Sequence, residues 1–380
     1  MHFFSIIFEL TLLSFFMQKL FIYFLISLFT FANGFSSTSN LSSLLQQIKN
    51  AYNVAGMTVF ITKGNSSVFA GNYGYSDILR NLPVNDSTVF RIASISKTVT
   101  AAALMKLYEQ GLVDLDTDIS NYLNFTLRNP FYPNDTITLR KILSHTGSLR
   151  DGSTYNSFLN ASYSQNPPPH LQSLLVTGGA YYSSSMYSSS KQPSSNYFVY
   201  SNINYGVIAT VIEKVTNVRF DIFCRNNILL PLGLSASFVV NDLPNINNVS
   251  VLYRFIGNTW VPQADDYNGV MPPPRDLSSY IIGSNAVIFG PQGSLRISAS
   301  DLSVFMRALK NGGIYNMTRI LNDTTVNRML TPQWMFDGTN GNSYNNIFMT
   351  YGLGTHRTRD LLVQDTLFGH PGEAYGLISD

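Results

Sequence analysis

Residues 90–107 read FRIASISKTVTAAALMKL, and the rest of the chain is organised around them. Ser94 stands three residues before Lys97, at the head of a run rich in Ala, Leu and Val. Ile95, Val99, Ala102 and Ala103 recur near helical spacing, so the run is predicted to be a helix. Residues three apart on a helix share a face, which puts the Ser94 hydroxyl and the Lys97 amine within reach of each other. Serine is a weak nucleophile until a neighbouring base takes its proton. Lysine becomes such a base when burial disfavours its charged form, and the apolar run around Lys97 is expected to bury it.

Ser-x-x-Lys is a loose pattern, and it recurs at Ser188 and Lys191. That copy lies in YYSSSMYSSSKQPSS (181–195), which has no helical period and reads as a loop. Context must therefore separate the two.

Hydrophobic residues make up 45% of the 380 and charged residues 12%, against about 25% charged in ordinary soluble proteins. The length suffices for one or two substantial cores. Net charge is +2 with no basic block, so nucleic-acid binding has no electrostatic footprint. Cys224, within FDIFCRNNILL (220–230), is the sole cysteine and reads as a buried structural thiol. The five histidines are scattered and neither HExxH nor CxxC occurs, so no metal or other cofactor is expected. The elbow GxSxG is absent as well.

Residues 1–34 read as a signal peptide or hydrophobic leader: Lys19 precedes an apolar run over 20–31, and Ala32-Asn33-Gly34 follows with small residues at a cleavage site. An uncleaved N-terminal membrane anchor is the alternative. Asn-x-Ser/Thr occurs at Asn40, Asn65, Asn85, Asn124, Asn134, Asn160, Asn248, Asn316 and Asn322, which agrees with a secreted glycoprotein. Next come a helix over 41–52, a hairpin over 57–70 turning at 63–65, the Ser94 helix ending at Gly111, and a short helix over 137–144. Residues 150–196 read as loop-rich and of low complexity. Helices are predicted over 203–215 and 300–310, and the tail from 348 alternates like strands. Strands at both ends and helices between them predict an α/β (α+β) fold, an antiparallel sheet built from the two chain ends with an inserted helical lobe.

Several ordered blocks now point to a family. NYGYSD (72–77) and VNDSTVFRIASISKTVTAAALMKLYEQGLVDLDTDISNYL (84–123) come first, then ITLRKILSHTGSL (137–149). NYFVYSNINYGVIATVIEKVTN (196–217) and PLGLSAS (231–237) follow, then PQGSLRISASDLSVFMRALKNGG (291–313), YGLG (351–354) and FGHPGEAYG (368–376). In this order they resemble the serine β-lactamase and penicillin-binding-protein superfamily, in its class C, D-Ala-D-Ala carboxypeptidase and esterase branch. Short motifs have decoys at Tyr122/Asn124, Tyr344/Asn346, His145/Gly147 and Lys310/Gly312. Tyr200-Ser201-Asn202 is preferred because it opens a helix, and His370-Pro371-Gly372 because it sits on the terminal strand-like segment.

The resemblance implies a serine hydrolase that forms an acyl-enzyme on Ser94. Lys97 and Tyr200 manage the proton, and either is the base; Tyr200 as a phenolate needs a depressed pKa, which a nearby ammonium supplies. Asn202 is implied to hold Lys97 and the flank of the substrate. His370 is implied to orient the phenol or to meet a substrate carboxylate, becoming cationic in acid. Backbone N–H groups of Ser94 and Glu373, beside Gly372, are implied to form the oxyanion hole. Implied substrates are small-molecule or peptide acyl compounds: D-peptides, β-lactams or small esters. The contrasting expectation is a catalytically inactive relative that binds a ligand or partner. The resemblance covers 54–380 and implies further strands and a helix beyond Asp380, so the domain at 35–380 is expected to be C-terminally truncated.

Overall fold

The computed structural model describes residues 38–358 and 366–380. The expected leader at 1–34 lies outside the described residues. The chain divides into two compact units, Ala55–Arg357 with Phe368–Asp380, and Met1–Val54 with Thr358–Leu367. In the smaller unit, helix α1 (Thr38–Ala51) follows the period read in the sequence, with Leu45 and Ile48 buried.

In the larger unit, β1 (Gly56–Lys63) and β2 (Ser66–Asp77) form the expected hairpin, with Lys63 facing Ser66 across a two-residue turn. Gly64 supplies the positive φ that such a turn needs at its first central residue. β3 (Leu82–Pro83) completes an antiparallel sheet of three strands.

The run after Ser94 is helix α2 (Ser96–Glu109), buried without interruption from Ser96 to Met105. A helix apolar all round belongs inside a core, and α2 is that central helix. Ser94 itself lies one step before it, on a 3-10 turn over Ala93–Ile95. The sequence placed Ser94 on the helix; the turn keeps its three-residue relation to Lys97 while opening the chain at the nucleophile. Ala93 makes the bend with φ of +48°, a left-handed conformation that is uncommon for a residue with a Cβ. Just upstream, Arg91 pairs with Arg296 across a two-strand ladder, and both guanidiniums clasp the buried Asp265 carboxylate. The backbone entering the Ser94 turn is thereby pinned.

Residues 150–196 depart most from the sequence reading. Helix α3 (Tyr155–Ser164) lies there, followed by a short helix at Gln172–Leu175. Phe158, Leu171, Leu174, Leu175, Met186 and Tyr187 from this stretch enter the main core. Tyr155, Phe158 and Ser162 fall on one helical face, but the Ser, Asn and Tyr between them dilute the apolar signal.

Helix α4 (Ile203–Thr216) packs on α2, and it is buried from Ile203 to Glu213. Cys224 is buried as expected, and burial pushes its thiol well up. Helix α5 (Ala299–Lys310) starts on Ser298, whose hydroxyl accepts the Asp301 N–H. β4 (Trp334–Met335), β5 (Thr350–Tyr351) and β6 (His356–Thr358) pair antiparallel in sequence order. β7 (Gly372–Ala374) and β8 (Leu377–Ser379) form a hairpin whose turn residues, Tyr375 and Gly376, both have positive φ. The fold is the expected mixed α/β class with antiparallel sheets. A second, aromatic core of Phe198, Trp334, Phe348 and Tyr351 lies beneath Tyr200.

Candidate active site

Lys97 is completely buried, and its Nζ makes three hydrogen bonds. It donates to Ser94 Oγ at 2.8 Å, to Asn202 Oδ1 at 2.9 Å and to the Gln292 carbonyl at 2.8 Å. The amine also lies 4.8 Å from the centre of the Tyr200 ring and 5.7 Å from that of Tyr205. Burial drives its pKa down to about 7, with the Asp151 carboxylate working in the opposite direction. Near neutrality a large share of Lys97 is therefore the free amine, whose lone pair can take the Ser94 proton.

The second serine–lysine copy has none of this. Ser188 Oγ accepts the backbone N–H of Lys191 and a guanidinium N–H of Arg150, while Lys191 Nζ lies over the Tyr197 ring. Its two functional ends do not meet.

Tyr200 is where α2, α4 and the aromatic core converge. Its ring stacks on Phe348 at 5.1 Å and lies 4.4 Å from the ring of His145. The hydroxyl is buried, and the Ser94 hydroxyl is the group beside it that can hydrogen-bond to it. Burial pushes the phenol well above its ordinary range; the nearby Ser94 hydroxyl opposes this but does not reverse it. The depressed phenol that a phenolate base requires is thus the opposite of what this environment produces. Of the two candidate bases, Lys97 is the one whose pKa is brought toward neutrality.

Asn202 stands at the N-terminus of α4 and faces Lys97 through Oδ1. Its Nδ2 and its backbone N–H both donate to Asp151 Oδ2, at 2.9 and 2.8 Å. Ser201 Oγ and the Ile203 N–H donate to Asp151 Oδ1.

His370 is held at both of its ring nitrogens. It is buried, its Nδ1 lies 2.7 Å from the Pro371 carbonyl, and its Nε2 lies 2.8 Å from the Tyr351 hydroxyl. A carbonyl only accepts, so Nδ1 carries the proton and Nε2 accepts from the phenol. Burial, reinforced by Lys97, pushes the imidazole well below its ordinary range. Both nitrogens are thus engaged, and burial disfavours the charged imidazole. It braces Tyr351, and its ring lies 5.9 Å from that of Tyr200.

Gly372 brings β7 against the nucleophile's turn. A Cβ there would sit 2.6 Å from the Ile92 carbonyl oxygen and 3.2 Å from the Ser94 nitrogen, so only glycine permits the approach. Glu373 is the next residue on β7, paired with Ile378 across the hairpin. The chain segments that carry the two expected oxyanion donors, Ser94 and Glu373, are therefore adjacent.

Four residues of the site escaped the sequence reading. His145 was set aside as a motif decoy, yet it lies buried against Tyr200, with φ of +59°. Its Nδ1 accepts the Ser201 N–H at 3.1 Å, so the proton sits on Nε2, and burial with the proximity of Lys97 keeps it neutral. Asp151 lay inside the stretch read as loop. Gln292 contributes a backbone carbonyl, which leaves no trace in residue type. Tyr351 stood in the quoted YGLG block without a role.

The chain is similar to known proteins in sequence and in fold. A family model described as Beta-lactamase matches residues 41–378. The chain is 23% identical over 273 residues to a penicillin-binding protein of Bacillus subtilis (strain 168), a match covering 71% of this chain and 55% of that protein. It is similar in structure to the octameric penicillin-binding protein homologue from Pyrococcus abyssi, with a TM-score of 0.67 and 23% identity over 89% of this chain and 68% of that one. The D-amino acid amidase from Ochrobactrum anthropi SV3 follows with a TM-score of 0.58 and 23% identity, over 89% of this chain and 85% of that one. The chain's match spans about half the length of the curated relatives.

Proposed function

The chain belongs to the beta-lactamase family, and on that premise we propose that it is a serine acyl hydrolase working through an acyl-enzyme on Ser94. The observation that carries this reading is the 2.8 Å contact between Ser94 Oγ and a buried Lys97 whose pKa lies at about 7. Neutral Lys97 takes the hydroxyl proton as Oγ bonds to the acyl carbon. Charge builds on the carbonyl oxygen, where the N–H groups of Ser94 and Glu373 receive it. The protonated phenol of Tyr200 passes a proton to the leaving nitrogen or oxygen, the acyl bond breaks, and Lys97 resupplies the phenol. Water then repeats the sequence on the ester, with Lys97 again as base, and frees Ser94.

D-amino-acyl amides and peptides, with small activated esters, are the substrates this site favours. Relatives carry the names penicillin-binding protein and D-amino acid amidase, which supports acyl groups of D configuration. A neutral, engaged His370 supplies no cation for the carboxylate of a β-lactam, so slow β-lactam turnover is part of the proposal. Export through the 1–34 leader is proposed as well, supported by eight of the nine sequon asparagines being exposed, with Asn248 half-buried.

Covalent labelling tests the core of this reading. A fluorophosphonate probe should attach to Ser94, by peptide mass, and Ser94→Ala should abolish it. Label on another serine, or none, overturns the assignment.

A further inference from the structure

We propose that Asp151 is the positioning residue of this site: it sets which end of the Asn202 amide faces Lys97 and holds a negative charge against the base. The inference rests on the serine hydrolase reading above and adds a residue outside its motifs.

A carboxylate only accepts hydrogen bonds. Asp151 Oδ2 faces Asn202 Nδ2 at 2.9 Å, so the nitrogen of that amide must point to Asp151 and its oxygen to Lys97 Nζ. Without the carboxylate, Asn202 could rotate and present Nδ2 to the amine, which would then lose an acceptor. The other contacts fix Asp151 in turn. The backbone N–H groups of Asn202 and Ile203 donate to it at 2.8 and 3.0 Å, and Ser201 Oγ at 3.1 Å. All four of its acceptor positions are used, and all four donors come from Ser201, Asn202 and Ile203 at the start of α4. One carboxylate thus caps α4, where negative charge is favoured, and orients the residue that binds the base.

Charge adds a second effect. The ionisable groups facing Lys97 are Tyr200 and Tyr205 by ring contact and His145 and His370 by proximity, all of them neutral near pH 7. Asp151 is the charge that raises the affinity of Lys97 for its proton against burial. Around Asp151 lie Tyr155, Tyr200 and Tyr344, and the adjacent Arg150, whose Nη2 is turned to Ser188. Removing the carboxylate should therefore move the base downward in pKa as well as unseat Asn202.

The test compares wild type, Asp151→Asn and the exchange variant D151N/N202D. Each is followed by kcat/KM against pH on p-nitrophenyl acetate, by Ser94 labelling and by thermal melting. An amide at 151 has one accepting end for the two sets of donors, so Asn202 should turn. Loss of alignment of this kind costs roughly 100-fold in kcat/KM. The acid limb should shift below that of wild type, because activity needs neutral Lys97 and its pKa has dropped. In the exchange variant the carboxylate touches Lys97 directly, so the limb should shift above wild type. A limb in either folded variant that coincides with wild type, whatever the melting temperature does, reduces Asp151 to a helix cap and overturns the proposal. If Asp151→Asn does not fold, the direction of shift in the exchange variant decides alone. Wild type that takes no label at Ser94 sinks the parent reading instead.

Discussion

His370 Nε2 and the Tyr351 hydroxyl are joined at 2.8 Å inside a region closed to solvent on both sides. An imidazole that accepts from a phenol while donating to the Pro371 carbonyl is locked in its neutral form. Substrates bearing a carboxylate should therefore gain no affinity from His370 on acidification. KM for a D-Ala-D-Ala peptide and for its amidated analogue, measured from pH 7.5 to 5, should run in parallel. A selective fall in KM for the free acid below pH 6.5 would falsify the neutral assignment.

The same burial makes acid a stress on the fold. His145 and His370 sit well below their ordinary pKa, and His356 falls to about 4 by burial. Each takes a proton in the unfolded chain near pH 6.5 but not in the folded one, so stability should fall as pH drops from about 6.5. Melting temperatures at pH 7.5, 6 and 5 should decline in that order; a flat series contradicts the assignment.

Tyr200→Phe separates function from stability. Its buried hydroxyl has the Ser94 hydroxyl beside it, so removing it breaks at most that one contact, and melting should shift little. Acylation should nonetheless slow by roughly 100- to 10,000-fold, as for loss of a general acid–base group. Burst kinetics with an activated ester measure the first step; a near-native burst removes Tyr200 from the proton path.

Lys97→Arg keeps the charge but cannot release it at accessible pH. It should fold poorly around the larger head group, and what folds should not acylate. In wild type, kcat/KM should fall on the acid side with a midpoint near the Lys97 pKa of about 7. A midpoint below 5 would place the proton elsewhere.

Ser188→Ala should retain full Ser94 labelling, because Lys191 Nζ lies over Tyr197 and not at the serine. The change should still cost about 1–3 kcal/mol, since Arg150 and the Lys191 N–H lose a buried acceptor. Denaturant unfolding beside a labelling assay checks both halves at once.

Much of the site was legible because its signals are local. A three-residue spacing on a helical run joins Ser94 to Lys97, and the 203–216 helix places Asn202 at its start, whatever surrounds them. What could not be read depends on distant partners. Asp151 reaches Asn202 across 51 residues and Gln292 reaches Lys97 across 195, contacts that no local period encodes. Helix α3 was hidden because its buried residues are spaced among polar ones, and tertiary packing rather than apolar content stabilises it.

By itself, then, the sequence determined which residues are adjacent along each element: the nucleophile and its lysine, the Tyr-x-Asn turn and the glycine strand. The tertiary structure decided their protonation states. Whether Lys97 is an amine, Tyr200 a phenol or His370 a cation depends on how much water and which charges surround it. Those surroundings are assembled by α2, α4 and the aromatic core only when the chain has folded.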